Sequence, residues 1–413
     1  MGREKETINP LINEAIDSDG QGLTKLKSTE ITRYIGVPTQ CMLWGRSAGR
    51  CEFKGCNKIL YRSSVTQELA NLAEKAHIYS FSEEGPRGHG KFAKHPKDLN
   101  NLENLMLVCE SCHKIIDAEQ KTKKYNADLI SSWKKEHEQR VEIVTGIASD
   151  KKTHVIFYES NISKQSSRLE KIEAYEAIFP DRYPVSSEPI RLSMDWKAQD
   201  NRDSFWATEF ENLKAEFNSK IEPLLREREQ PTLHFTIFAL ASMPLLIQLG
   251  ALFTDKVNVD VRQKLREPLT WRWQEPPADF DFVIQEPEHF DGIPVLVFSL
   301  TDKIEHQRIF DVLGTEVSIW EMTANEQFRG SNMIVSSQQL GIFRTKVRGL
   351  LDRIRQKHGR DQTLSIFPTM SISCSIELGR VRMPKVEMPW DIYDHNNDAK
   401  SFIKAITLGG ERL

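Results

Sequence analysis

The chain has 413 residues, 39% hydrophobic and 28% charged, with a net charge of −3. This is the composition of globular protein, and at about 100–200 residues per domain it predicts two or three units; no run of about 18 uninterrupted apolar residues exists to span a bilayer. Six cysteines behind the polar start MGREKETINP point away from disulfide chemistry and toward metal binding, with the cytoplasm as the expected location.

Residues 1–40 carry no chemical motif and read as an N-terminal extension, with SDGQGLTKLKST as a turn or linker. Two cysteine pairs follow, Cys51 and Cys56 in CEFKGC, then Cys109 and Cys112 in CESCHKIID. Two short loops brought together supply four thiolates for a tetrahedral zinc ion at about 2.3 Å, so a structural zinc is expected. Cys41 and Cys374 fall outside this pattern and read as ordinary thiols. Between the pairs lie His77 in AHI and Asn101 and Asn104 in NNLENLMLVC. His77 suits the task of taking a proton from water, because an imidazole with an intrinsic pKa of about 6.5 is partly neutral near pH 7. His113 and Asp117 are four residues apart, so a helix opening at CHKIIDAEQ projects both from one face about 6 Å apart, where one cation can take both.

In this order the residues resemble the HNH nuclease family, over roughly residues 40 to 140. The resemblance implies a ββα-metal fold, His77 as general base, Asn104 as the residue that shapes the loop opposite the base, and His113 as a ligand of a catalytic Mg²⁺ or another divalent cation. Asp117 stands where some members carry a second ligand. Ala76 stands where the family often has a ligating Asp or His, and Glu74 is the nearest candidate to replace it. The implied substrate is double-stranded DNA. Charge agrees: residues 41–140 hold 17 Lys and Arg against 13 Asp and Glu, a surplus of four in a chain that totals −3, which leaves the rest at −7. Arg46, Arg50, Arg87, Lys91, Lys94 and Lys97 are candidates to neutralise phosphates, and EEGPRGHGKFAKHP reads as a loose Gly-rich loop. The stretch from Tyr125, with Leu129, Ile130, Trp133 and Val141 as packing positions, predicts an amphipathic helix that closes a domain over 41–145.

A linker is expected over 146–155, then a strand at HVIFY. The longest apolar run, Phe235 to Phe253, is interrupted by Ser242-Met243-Pro244 and reads as a buried strand followed by a helix. Strand, turn and amphipathic helix recur to the end of the chain, which predicts an α/β region with a mostly parallel sheet and ligands at the carboxyl ends of its strands. FALASMPLLIQLGALF and SIFPTMSISCSIELGR echo each other, strand, Pro-containing turn, and helix ending near Leu-Gly, and suggest two pseudo-repeated halves.

From about residue 156 to 413 this pattern resembles the SAVED domain, a sensor of two CARF-like, Rossmann-like halves that binds cyclic oligonucleotides. With the HNH-like module ahead of it, the chain resembles the HNH–SAVED effector endonucleases of CBASS anti-phage defence. That resemblance implies an endonuclease switched on by a cyclic dinucleotide, self-associating to an oligomer, a tetramer in that family, with no membrane partner. Candidate ligand contacts are the faces of Trp271 and Trp273, Thr301 and Lys303 after the strand VLVFSL, and Ser242, Met243, Pro368, Thr369 and Met370 at strand-to-helix turns. The alternative is an HNH restriction-type endonuclease whose C-terminal half reads DNA sequence or modification; that half is then expected to be basic, and it is acidic.

Overall fold

A computed structural model describes residues 33–118, 124–160, 168–192, 205–226, 233–396 and 400–409. Most of the expected N-terminal extension, including SDGQGLTKLKST, lies outside the described residues. The chain divides into two units, Met1–Glu142 and Ile143–Leu413.

The first unit is built on a short hairpin. Helix α1 (Val37–Arg46) opens with a proline in its first turn, where the missing N–H has no helical partner to lose, and buries Leu43. Strand β1 (Ala73–His77) pairs antiparallel with β2 (Leu105–Cys109), His77 opposite Leu105 and Ala73 opposite Cys109. The apolar run LMLVC buries every residue of β2, and the chain passes directly into helix α2 (Glu110–Ala118), completing a ββα unit. Helix α3 (Ala127–Thr145) packs through Ile130, but Lys134 and His137 share its buried stripe, while Leu129 and Val141 are only half-buried. These polar side chains are tolerated because each has a partner: His137 Nε2 meets Ser47 O at 3.0 Å, and Lys134 pairs with Glu138. Around the hairpin, Leu43, Leu60, Ile78, Ile116 and Ile130 form one core with Cys51, Cys109 and Cys112.

The segment read as a loose loop is in fact folded down. Short 3₁₀ turns at Gly90–Phe92 and Pro96–Asn100 bury Phe92 and Leu99, whose apolar area outweighs the freedom that the glycines would allow.

The second unit opens with β3 (Lys152–Glu159), which begins inside the stretch expected as linker. There follow α4 (Lys171–Ile178), β4 (Tyr183–Pro184), β5 (Ile190–Arg191), α5 (Phe205–Lys220), α6 (Glu222–Arg226), β6 (Phe235–Leu240), α7 (Met243–Phe253) and β7 (Val259–Val261). All these strands run parallel: β3 pairs with β6, β6 with β7, and β4 and β5 lie on the other side of β3. A two-stranded hairpin, β8 (Leu265–Arg266) and β9 (Leu269–Thr270), leads to β10 (Phe282–Gln285). The rest is β11 (Ile293–Ser299), α8 (Gln307–Leu313), β12 (Val317–Ala324), α9 (Ser337–His358), β13 (Leu364–Thr369), α10 (Ile372–Val381), β14 (Trp390–Asn396) and β15 (Ser401–Leu408). The second sheet has the order β10-β12-β11-β13-β14-β15, parallel in its four central strands and antiparallel at both edges.

The order β5-β3-β6-β7 in one sheet matches β12-β11-β13-β14 in the other, and the register matches too: Glu159 lies beside Leu240, and Ser299 beside Thr369. The echo between the two apolar segments is thus a structural repeat, β6-α7 against β13-α10. Both helices enter one buried cluster that joins Phe235, Ile237 and Leu246 of the first half to Leu364, Ile366 and Ile376 of the second. The outer face of each sheet is covered separately, by α4 and by α8. Among the described residues no helix is long and apolar enough to cross a membrane.

Candidate functional site

The four cysteines come together. The Sγ atoms of Cys51, Cys56, Cys109 and Cys112 all lie within 4.8 Å of one another, with Cys56 and Cys109 at 3.9 Å. Four bonds of about 2.3 Å in a tetrahedron set sulfurs about 3.8 Å apart, so this cluster fits a zinc ion and is too open for a disulfide. Burial pushes the Cys51 thiol up to about 12 and raises that of Cys112 as well. A cation among the sulfurs would be what holds them as thiolates. Cys109 ends β2 and Cys112 lies in the first turn of α2, so the cluster staples the strand-to-helix junction to the CEFKGC loop. Cys41 is exposed and Cys374 buried, and neither belongs to the cluster.

At the other end of the hairpin, His77 closes β1, its Nε2 lying 2.9 Å from Asn100 Oδ1. Asn104 is buried and fully engaged: its Oδ1 accepts from Tyr79 N at 2.8 Å, and its Nδ2 donates to Leu99 O at 2.8 Å and Tyr79 O at 3.1 Å. It ties the exit of β1 to the turn that carries Asn100. On α2, His113 Nε2 stands 3.3 Å from Asp117 Oδ2, as the four-residue spacing requires. These two atoms fit one divalent cation, and among the described residues no third His, Cys, Asp or Glu joins them.

Glu74 is exposed, shares with Ala76 the face of β1 opposite His77, and joins no cluster of ligating side chains among the described residues. The expectation for Arg87 is corrected. Arg87 is a clamp rather than a phosphate contact: its side chain is 10% exposed and donates to Ile116 O at 3.0 Å, Asp117 Oδ1 at 3.2 Å, His77 O at 3.3 Å, and Ile78 O. It therefore joins the strand bearing His77 to the helix bearing His113. Arg46 and Lys91 are exposed, with surface ion pairs to Glu138 at 3.1 Å and Glu103 at 3.4 Å. Asn100 was not singled out from sequence, because its partnership with His77 depends on the 3₁₀ turn Pro96–Asn100, which no spacing announces.

In the second unit, the turns after β6 and β13 meet. Met370 N lies 3.4 Å from Met243 Sδ, and Gln263 Oε1 accepts from Ser373 N at 3.1 Å and Ser373 Oγ at 3.0 Å. The Oγ of Ser242 is buried with no hydrogen-bond partner among the described residues, whereas Ser371 caps α10 by accepting from Cys374 N at 3.3 Å. This is the carboxyl end of both parallel sheets, where α/β folds receive ligands. Several of the expected contacts are structural instead. Trp271 is 1% exposed, edge-on to Phe238 at 5.1 Å with the Lys264 ammonium over its ring, so neither face is open for stacking. Trp273 is half-buried against the shared core. Pro368 is buried within β13 and Met370 is 5% exposed. Thr369 spends its hydroxyl on Phe298 O at 2.8 Å and Asp302 O at 2.6 Å, fastening the turn after β13 to the turn after β11. Thr301 is half-buried beside it, donating its backbone N–H to Thr369 O at 3.0 Å, and Lys303 is exposed with its ammonium 3.2 Å from Glu305.

No curated protein matches the chain. Its fold is similar to that of the Acinetobacter baumannii Cap4 SAVED/CARF-domain containing receptor with the cyclic trinucleotide 3'3'3'-cAAA, at 10% identity and a TM-score of 0.41, over 76% of this chain and 67% of that one. The Moraxella osloensis Cap4 SAVED/CARF-domain containing receptor is similar at 13% identity and a TM-score of 0.35, over 76% of this chain and 70% of that one. Residues 213–408 match the family model described as the SMODS-associated and fused to various effectors sensor domain. This match takes in β6 to β15, and with them the β6-α7 and β13-α10 repeat and the whole of the second sheet.

Proposed function

We propose that the chain is a metal-dependent DNA endonuclease whose activity is released when a cyclic oligonucleotide binds the SAVED domain, as an effector of anti-phage defence. The observation that carries the reading is the combination in one chain of a ββα unit bearing His77, Asn104 and His113 beside a four-sulfur cluster, and a SAVED sensor. A nuclease module alone needs no sensor, and a sensor alone has no use for the histidine pair.

In this reading His77 takes the proton from the attacking water. His113 and Asp117 would hold a divalent cation, Mg²⁺ or another, and that cation when bound supplies neutralisation of the charge that develops on the phosphate. Cys51, Cys56, Cys109 and Cys112 would hold zinc, which stabilises the fold and takes no part in the chemistry. Arg87 fixes the distance between β1 and α2, and so between the two histidines. On the sensor side, the paired turns at Ser242 and Met243 and at Thr369 to Ser371 are where a cyclic dinucleotide or trinucleotide would sit, its phosphates facing the N-terminal ends of α7 and α10.

The test is to incubate the purified chain with plasmid, Mg²⁺ and a panel of cyclic di- and trinucleotides. Cutting that appears only with one of them supports the reading. Cutting at full rate with none of them favours the restriction-type alternative, in which the C-terminal half addresses DNA.

A further inference from the structure

We propose that Asn100 is the positioning residue that sets the tautomer of His77, leaving Nδ1 as the atom that accepts the proton; the proposal deepens the nuclease reading above and rests on it.

The orientation of the Asn100 amide follows from its second contact. Its Nδ2 donates to Tyr34 O at 3.1 Å, and a backbone carbonyl can only accept, so the amide oxygen is the atom turned to His77. That oxygen also only accepts, so the hydrogen on the 2.9 Å contact belongs to His77 Nε2. A neutral imidazole carries one N–H, and with Nε2 protonated the basic lone pair is on Nδ1. An amide does this without adding charge: it orients the ring and leaves the Nδ1 lone pair as the one available to accept a proton.

The support for Asn100 is equally specific. It ends the 3₁₀ turn Pro96–Asn100, whose Leu99 is fully buried, and Asn104 Nδ2 donates to Leu99 O at 2.8 Å. Asn104, the residue matched to the HNH pattern, therefore acts on the base through its neighbour: Asn104 fixes the turn, the turn presents Asn100, and Asn100 fixes the ring.

The tautomer is read directly in the full-length protein labelled with ¹⁵N-histidine, from long-range proton–nitrogen spectra with His77 assigned by its loss in His77→Gln. The expected signature is protonated Nε2 and unprotonated Nδ1. The reverse pattern overturns the proposal, and because the spectrum needs no DNA it does so whether or not the chain proves to be a nuclease. Kinetics supply the second readout. Asn100→Leu is expected to lower kcat roughly tenfold to a hundredfold, less than the loss of the base itself, with KM for plasmid changed less than about twofold. Asn100→Asp, which keeps an accepting oxygen, is expected to recover most of that loss. Equal losses in both variants with a matching fall in melting temperature would mean that Asn100 only braces the turn, and would overturn the assignment.

Discussion

Gly250 of α7 and Gly379 of α10 face each other so closely that neither could carry a side chain. A Cβ on Gly250 would lie 1.9 Å from Ile376 O, and one on Gly379 would lie 1.8 Å from Ile247 O. The contact is reciprocal, since Ile247 and Gly250 sit in α7 where Ile376 and Gly379 sit in α10. Because the obstacle is backbone, which cannot swing aside, Gly250→Ala or Gly379→Ala is expected to destabilise the second unit by about 3 kcal/mol or more. Chemical denaturation followed by Trp fluorescence measures it. Wild-type stability in both variants would mean that the helices are not so closely packed.

His77→Ala is expected to abolish detectable cleavage, by about 10²- to 10⁴-fold, while melting and nucleotide binding stay as in the parent chain, because a base acts on the transition state and not on the core. Plasmid nicking under activating conditions is the measurement. A variant that cuts at near-normal rate removes His77 from the chemistry.

Cys109→Ser is expected to release about one zinc per chain and to lower the melting temperature of the first unit, since the free energy of a structural metal is folding free energy. Elemental analysis after gel filtration gives the metal content. Full zinc with unchanged melting would show that the four sulfurs do not act as a cage.

A pH dependence follows from His358. Its Nε2 accepts a hydrogen bond from Trp320 Nε1 at 3.1 Å, and burial holds its pKa below the usual 6.5. Protonation removes that acceptor and charges a buried ring. The folded state thus binds the proton less readily than the unfolded chain, so this contribution to stability is full above about pH 6.5 and is lost as the pH falls toward the lower, folded-state pKa. Denaturation midpoints at pH 7.5 and 5.5 are expected to differ more for the parent than for His358→Gln. An equal pH response in the two proteins would remove His358 as the source.

In the nuclease reading, cutting both strands of a duplex in a single encounter calls for two sites to meet. Nucleotide binding to the SAVED domain is therefore expected to drive self-association, to a tetramer if the chain behaves as the effector family does, and activation should steepen with both ligand and protein concentration. Light scattering with and without the activator decides this. A chain that remains monomeric at saturating activator while cutting both strands at full rate refutes the coupling.

Much of this was legible in the sequence, for reasons that differ by site. The cysteine pairs and the His113–Asp117 spacing are local, so sequence distance predicts spatial distance directly. The β6-α7 and β13-α10 echo was visible because the same packing problem was solved twice with the same residues. What escaped was contact set by irregular backbone. Arg87 looked like an exposed cation in a Gly-rich loop, yet its left-handed backbone, φ +65°, belongs to a folded-down segment in which its side chain reaches four acceptors across two elements. Trp271 offers an aromatic face on which a base could stack, and side-chain chemistry alone does not say which way it points; the short hairpin β8-β9 turns it inward onto Phe238. Lys134 and His137 broke the apolar stripe of α3 because their partners, Glu138 and Ser47 O, satisfy them where a periodicity argument sees only polarity.

The covalent joining of the two halves has a consequence for what they can distinguish. In a dimer of identical halves every substitution appears twice, and the seam between them keeps its symmetry whatever evolves. Here each side is free to drift alone, and it has: α7 carries Gln248, which reaches Phe210 O, where α10 carries Glu377, which holds Arg344 and Arg380. Met243 opens one helix and Ile372 opens the other. A guest laid across the seam therefore meets unlike neighbours on its left and right, so the two ways of turning it round differ in energy. A single chain of this kind would tell apart the two orientations of an asymmetric guest, which a symmetric pair would hold equally well either way round.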